Sequence, residues 1–240
     1  MSEDTIAAIS TAMSPSGIGI VRISGAGAVR TAGKIYRSPG GKKRLEDVPS
    51  HTIHYGYIYD GDLMADEVLV MVMRGPRSYT GEDTVEINCH GGLLAVRRVL
   101  EAVLHAGARM AEPGEFTKRA FLNGRIDLSQ AEAVMDVINA GSEYALDSSL
   151  SQLKGSVMRS VRKIREEILY EIAFIESALD DPEHISLEGY PERLEEKTAQ
   201  EKERIERLIR SFSEGKMIRE GIRTVIVGKP NAGKSSLMNM

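Results

Sequence analysis

Eight residues near the C-terminus have the types and spacing to hold phosphate. Gly228-Lys229-Pro230-Asn231-Ala232-Gly233-Lys234-Ser235 fits the pattern G-x-x-x-x-G-K-[ST]. In such a loop the backbone N–H groups wrap a β-phosphate. The lysine ammonium neutralises the β- and γ-phosphates, and the final hydroxyl holds Mg²⁺. That chemistry needs a buried strand before the loop and a helix after it. The apolar run Ile222 to Val227 predicts the strand, and Ser236-Leu237-Met238-Asn239 opens the helix. A nucleotide domain built on this loop needs roughly a hundred or more further residues. The stop at Met240 therefore reads as a chain cut inside that domain.

Other chemistry-bearing residues lie upstream. Arg22 sits late in an apolar strand, either as an edge-strand cation reaching solvent or as an anion-binding fork. Glu86 alternates with Val85 and Ile87, so it projects from the opposite face of its strand. His90-Gly91-Gly92 precedes a helix; it reads as an anion-binding turn or as a turn that needs glycine. Cys89 reads as a buried core thiol in preference to a nucleophile. His51 and His54, three apart on a strand, face opposite sides and lack a cluster of further ligands, so a metal site is disfavoured. Tyr55, Tyr57 and Tyr59 share one strand face, as a stacking platform or a packed surface.

These residues must be positioned by two kinds of structure. Residues 1–118 read as α+β, with strands at Thr5–Ala12, Ile18–Ser24, His51–Tyr59, Ala65–Met73 and Thr84–Cys89. Helices are expected at Ala26–Tyr36 and Leu93–Ala106, with a polar loop over Lys34–Pro49 and a hairpin turn at Asp60-Gly61-Asp62. From residue 119 to 220 the pattern is helical. Short helices are expected at Glu115–Leu122 and Ser129–Ala140, the second capped by Ser129 with Glu132 three residues on. One continuous amphipathic helix is expected from Glu143 to Asp180, about 37 residues and roughly 55 Å long. A more charged helix follows from Pro191 to Glu220. Two such rods cannot bury both flanks alone, since bundles use three or four.

The composition is that of a globular protein, 42% apolar and 28% charged, with a net charge of −4. An acidic chain has no overall attraction to nucleic acid, so RNA binding would need a local basic patch. No run approaches the roughly eighteen apolar residues of a membrane span. The single cysteine excludes an internal disulfide, and a cytoplasmic location is expected.

Three stretches together resemble the MnmE (TrmE) family of tRNA modification GTPases. The first is Gly19-Ile20-Val21-Arg22-Ile23-Ser24-Gly25. The second is Ser78-Tyr79-Thr80-Gly81-Glu82-Asp83-Thr84-Val85-Glu86, continuing to His90-Gly91-Gly92. The third is Pro113-Gly114-Glu115-Phe116-Thr117 through Arg119-Ala120-Phe121-Leu122-Asn123-Gly124-Arg125, then Asp127-Leu128 and Gln130-Ala131-Glu132-Ala133. The phosphate loop also looks like that family's.

The resemblance implies an α+β domain that binds tetrahydrofolate and forms a homodimer. A helical domain should follow, interrupted by a Ras-like GTPase domain that begins at about residue 221. It matches Arg22, Glu86 and Arg125 to folate contacts, although the family often has lysine at the position of Arg125. It matches Asn231, Ala232, Gly233, Lys234, Ser235 and Ser236 to GTP contacts, with Ser235 on Mg²⁺ and Asn231 on K⁺. The folate would be a 5-formyl or 5,10-methylene derivative. An FAD-dependent partner protein, in a heterotetramer, would help to place an aminomethyl-type group on C5 of the tRNA wobble uridine. The family's catalytic residues lie beyond Met240, so none is assigned within this chain. The competing reading is a generic P-loop ATPase with an N-terminal ligand-binding regulatory domain.

Overall fold

The structure, a computed structural model, describes residues 4–220, 225–229 and 232–238. The chain divides into two compact units, Met1–Ala131 and Glu132–Met240.

In the first unit, alternating apolar residues build a mixed sheet of seven strands. They are β1 (Ile6–Ile9), β2 (Ile18–Ser24), β3 (Tyr36–Arg37), β4 (Thr52–Asp60), β5 (Leu63–Met73), β6 (Thr84–His90) and β7 (Arg109–Met110), in the order β3-β4-β5-β6-β2-β1-β7. All neighbours are antiparallel except β1 and β7. The helices α1 (Ala28–Ile35) and α2 (Leu93–His105) cover one face. Val21, Ile23, Val70, Val72, Val85 and Ile87 point to that face and are wholly buried. Period-two alternation sends Arg22, Met71 and Glu86 to the other face.

A 3-10 turn at Leu45–Asp47 falls in the expected polar loop, β3 takes up Tyr36 from the end of the expected helix, and β7 falls where no element was expected. Strands of two residues are too short to show alternation. They exist because neighbours in the sheet pair with them.

The helix α3 (Glu115–Leu122) closes the unit through ion pairs. Arg119, only 5% exposed, meets Asp4 Oδ1 at 2.7 Å, Glu115 Oε1 at 3.0 Å and Glu82 Oε2 at 3.2 Å. Arg109 joins Asp4 and Glu115, each at 2.6 Å. A buried charge is tolerable only when it is paired, and this network pairs each of its members.

The remaining helices are α4 (Leu128–Asn139), α5 (Glu143–Leu153), α6 (Ser156–Asp180), α7 (Tyr190–Glu220) and α8 (Lys234–Met238). The cap of α4 is not Ser129. Asp127 Oδ1 accepts from the Gln130 N–H at 2.9 Å, while Gln130 Oε1 accepts from the Asp127 N–H at 2.9 Å. This is a capping box set two residues earlier, and the Ser129 hydroxyl donates to the same Asp127 Oδ1 at 2.6 Å.

The expected continuous helix from Glu143 to Asp180 is broken. Gly155 takes φ +77°, and the N–H groups of Lys154 and Gly155 bond back to Leu150 O and Gln152 O. A left-handed glycine just past a helix end stops it and satisfies its last carbonyls. The apolar period passes through this break unchanged, so periodicity alone did not reveal it.

Between α6 and α7 lies an apolar groove of about 670 Å³ lined by Val157, Val161, Ile164, Ile168, Ile205 and Ile209. Tyr190 fixes one end of the pair, its hydroxyl donating to Glu171 Oε2 at 2.9 Å. Arg204 bridges Glu167 and Glu201.

Candidate functional site

Arg22 and Glu86 are Cα partners in the β2–β6 ladder. The Arg22 Nη2 and Nε groups lie 2.6 and 2.7 Å from Glu86 Oε1. The strand carrying Arg22 is interior to the sheet, between β1 and β6, so the edge-strand reading of that arginine does not hold. Arg22 reaches instead across the sheet face opposite the helices.

The Arg22 guanidinium lies over the Tyr79 ring, 5.0 Å from its centroid, and 5.7 Å from that of Phe116. Arg125, exposed at the end of the loop after α3, places its guanidinium 5.3 Å from the same Tyr79 centroid. Arg22 and Arg125 come from distant stretches of chain and meet at one tyrosine, and Glu86 joins them through its pair with Arg22.

Tyr79 and Phe116 are the members that residue-by-residue reading missed, although both lie within the stretches that resemble the family. The signal for Tyr79 is an aromatic inside a Ser-Thr-Gly loop, where no core position explains it.

The Tyr79 loop is held from several sides. The Tyr79 hydroxyl lies 2.9 Å from Thr117 Oγ1. Asn123 Nδ2 donates to Thr80 O at 2.8 Å, and Ser24 Oγ lies 2.7 Å from Thr80 Oγ1. Ser24 also donates to Glu82 Oε2 at 3.0 Å, the same oxygen that accepts from Arg119. The buried ion network thus fixes the loop that presents the ring. Arg109, the nearest cation, holds the Glu115 carboxyl down to about 2, so Glu115 stays charged.

Arg22 and Arg125 with Glu86 leave one net positive charge beside two aromatic rings. Guanidinium forks take carboxylates or ring oxygens, a carboxylate takes ring N–H groups, and an aromatic face stacks on a flat heterocycle. That donor set fits a folate, whose pterin is flat and whose tail is anionic.

The other sequence candidates are structural. Cys89 is buried, its thiol donates to Gly19 O at 3.4 Å, and burial pushes it up to about 11. Gly91 packs on Ser16 so closely that a Cβ would lie 2.3 Å from Ser16 Oγ. The His90 N–H, at the end of β6, donates to Asp66 Oδ2 at 2.7 Å. His54 is buried against Thr52 and Lys43, and among the described residues no group of His, Cys, Asp and Glu could hold a metal ion.

In the phosphate loop, Asn231 and Pro230 lie outside the described residues, as do Ile222, Arg223 and Thr224. Val225, Ile226 and Val227 are described and are not a buried strand. They pair with no strand and are 81%, 38% and 88% exposed. A central parallel strand is stable only with neighbours and with cover on both faces, and none of the seven described strands supplies them. Gly233 has φ +78°, and Lys234 Nζ donates to Gly228 O at 2.8 Å and Lys229 O at 2.7 Å. Ala232, Ser235 and Ser236 are exposed beside it.

An α+β unit with a cationic, aromatic-lined cluster, followed in the chain by helices and a phosphate-loop sequence, is the layout of a multidomain protein of the phosphate-loop class. The family model described as "GTP-binding protein TrmE N-terminus" matches residues 5–125, and the one described as "MnmE helical domain" matches residues 128–236. The chain belongs to the MnmE family of tRNA modification GTPases. It is 58% identical over 240 residues to "tRNA modification GTPase MnmE" of Lachnoclostridium phytofermentans, covering 100% of this chain and 52% of that protein. The proteins of the same name from Geobacillus kaustophilus and Bacillus subtilis are 54% and 53% identical over 239 residues, each covering 98% of this chain and 52% of the relative. The chain spans about half the length of the curated relatives it matches. Membership of this family sets aside the generic ATPase reading.

Proposed function

We propose that these 240 residues are the folate-binding and dimer-forming part of a GTP-hydrolysing tRNA-modification protein. The observation that carries the reading is the convergence of Arg22 and Arg125 on the Tyr79 ring, with Glu86 paired to Arg22. The arginines hold the carboxylates and ring oxygen of a 5-formyl or 5,10-methylene tetrahydrofolate. Glu86 accepts from the pterin N–H groups, and Tyr79 orients the flat ring. The folate, when bound, supplies the one-carbon unit.

The surface beside this cluster supports a homodimer. Cross-strand neighbours carry it outward from Arg22 and Glu86 through Met71 to Ile53, and from Asn88 through Leu69 to Tyr55. Ile53, Leu69 and Tyr55 are 64%, 47% and 46% exposed, an apolar face of the kind that marks an interface.

In the whole protein the loop residues Asn231, Ala232, Gly233, Lys234, Ser235 and Ser236 bind GTP, with Ser235 on Mg²⁺ and Asn231 on K⁺. An FAD-dependent partner joins it in a heterotetramer. Together they add an aminomethyl-type group at C5 of the wobble uridine of tRNA in the cytoplasm. No helix among the described residues is long and apolar enough to cross a membrane. Calorimetric titration of 5-formyltetrahydrofolate into the chain tests the folate reading, and its failure would remove the central claim.

A further inference from the structure

The chain is acidic overall, but its charge is unevenly placed. From Thr5 to Leu45 there is no aspartate or glutamate, while Arg22, Arg30, Lys34, Arg37, Lys42, Lys43 and Arg44 all fall in that span. Arg22 belongs to the folate cluster. Lys34, Arg37, Lys43 and Arg44, together with the one acid Glu46, line a concavity of about 320 Å³ between the end of α1, β3 and the loop that follows, so the cations outnumber the carboxylate there. All four cations are exposed, as is Lys42 beside them.

These charges are largely unneutralised. Among the described residues, Lys34, Arg37, Lys42 and Lys43 have no carboxylate within 4 Å. Lys34 donates to the carbonyl of Ala106, and Arg37 lies over the Tyr59 ring, 5.0 Å from its centroid. Lys43 Nζ lies 3.5 Å from His54 Nδ1. Burial and the Lys43 charge lower the His54 pKa, as expected beside an uncompensated cation. Only Arg44 approaches acids, at 3.8 Å from Glu46 and 4.0 Å from Asp47.

Cations on an edge strand also discourage sheet-to-sheet pairing. That role accounts for Arg37 on β3, but Lys42, Lys43 and Arg44 lie beyond the strand. A concave basic surface with flexible ammonium groups and two guanidinium forks is suited to phosphodiester oxygens.

We propose that this concavity binds the phosphate backbone of a folded RNA, and it rests on the reading of tRNA as the substrate. At β3 it lies four strands away from β2, which carries Arg22, so it docks a different part of the ligand set from the folate cluster. Contacts of this kind position the RNA and do not read its sequence.

Fluorescence-anisotropy titration of a labelled tRNA transcript, at several salt concentrations, tests the proposal. Three forms of the chain are compared: wild type, Lys43→Glu with Arg44→Glu, and a control with Arg97→Glu and Arg98→Glu on the exposed side of α2. Wild type should bind with affinity that falls as salt rises. The loop variant should lose at least about tenfold at ~0.1 M salt, with a salt slope smaller by about two, for any tRNA. The control should keep wild-type affinity, and all three should melt alike. Unchanged binding by the loop variant, or an equal loss in the control, would overturn this surface and leave the tRNA reading standing. No binding by wild type would overturn this surface as well.

Discussion

Arg22 and Glu86 face each other across the β2–β6 ladder, and two nitrogens of the guanidinium converge on the single oxygen Oε1 of the carboxylate. The pair is partly buried, with Arg22 25% and Glu86 12% exposed in their side chains. Each residue orients the other before any ligand arrives, and Tyr79 lies under the arginine. Preorganisation of this sort lowers the ordering cost of binding.

Replacing Tyr79 separates the ring from its hydroxyl. Tyr79→Ala should weaken folate binding by about tenfold, since stacking and cation–π contacts amount to roughly 1–2 kcal/mol. Tyr79→Phe keeps the ring, loses only the contact with Thr117, and should bind within about threefold of wild type. Dissociation constants from calorimetry check both.

Arg119 sits at the centre of the buried network. Arg119→Met would leave Glu82 and Glu115 buried without their shared cation, and should cost about 3–5 kcal/mol of stability. Urea unfolding followed by circular dichroism reads this as a fall in midpoint. The folate affinity should fall as well, because Glu82 anchors the loop of Tyr79.

Stability should also fall in acid. The Glu115 carboxyl is lowered from 4.5 to about 2, first by Arg109. A carboxylate with a depressed folded pKa contributes stability that is fully present above its unfolded pKa and is lost as pH falls through the folded one. The window is therefore about pH 4.5 down to 2. With Arg109 partly exposed, the loss should be about 2 kcal/mol. Glu115→Gln should flatten that part of the stability profile and lower the plateau above it.

Gly155→Ala should destabilise the helical unit by about 1 kcal/mol, because alanine at a positive φ is strained. A thermal melt gives the value. An unchanged or raised melting temperature would mean that α5 and α6 can join into one helix.

The residues that were readable from sequence are those governed by local pattern. Alternation placed Val85, Glu86 and Ile87 correctly on their faces, and helical spacing found α1, α2 and α7. The break at Gly155 was hidden because the apolar period continues across it. The cap of α4 was hidden because Ser129 and Asp127 both fit a capping pattern, and only geometry separates them. Tyr79 was hidden for a different reason: its partners Arg22, Thr117 and Arg125 are far away in sequence, and pairing across such distances is set by tertiary structure. The strand expected before the phosphate loop failed where it was described because a parallel strand depends on neighbours, not on its own apolar content.

The phosphate loop should not retain nucleotide in this chain. Val225 and Val227 are exposed, and the Lys234 ammonium is held by the carbonyls of Gly228 and Lys229. Titration of a fluorescent GTP analogue should give no saturable signal; a micromolar Kd would show that the loop is competent as it stands.

The central claim is that Arg22, Glu86 and Arg125 form a folate site around Tyr79. Calorimetric titration of 5-formyltetrahydrofolate into the wild-type chain and into Arg22→Ala tests it most directly. Loss of a charge-assisted fork should weaken binding by at least about tenfold. Saturable heat from the wild type with that loss in Arg22→Ala is the predicted result. No heat from the wild type, or equal affinity in the two, would contradict it.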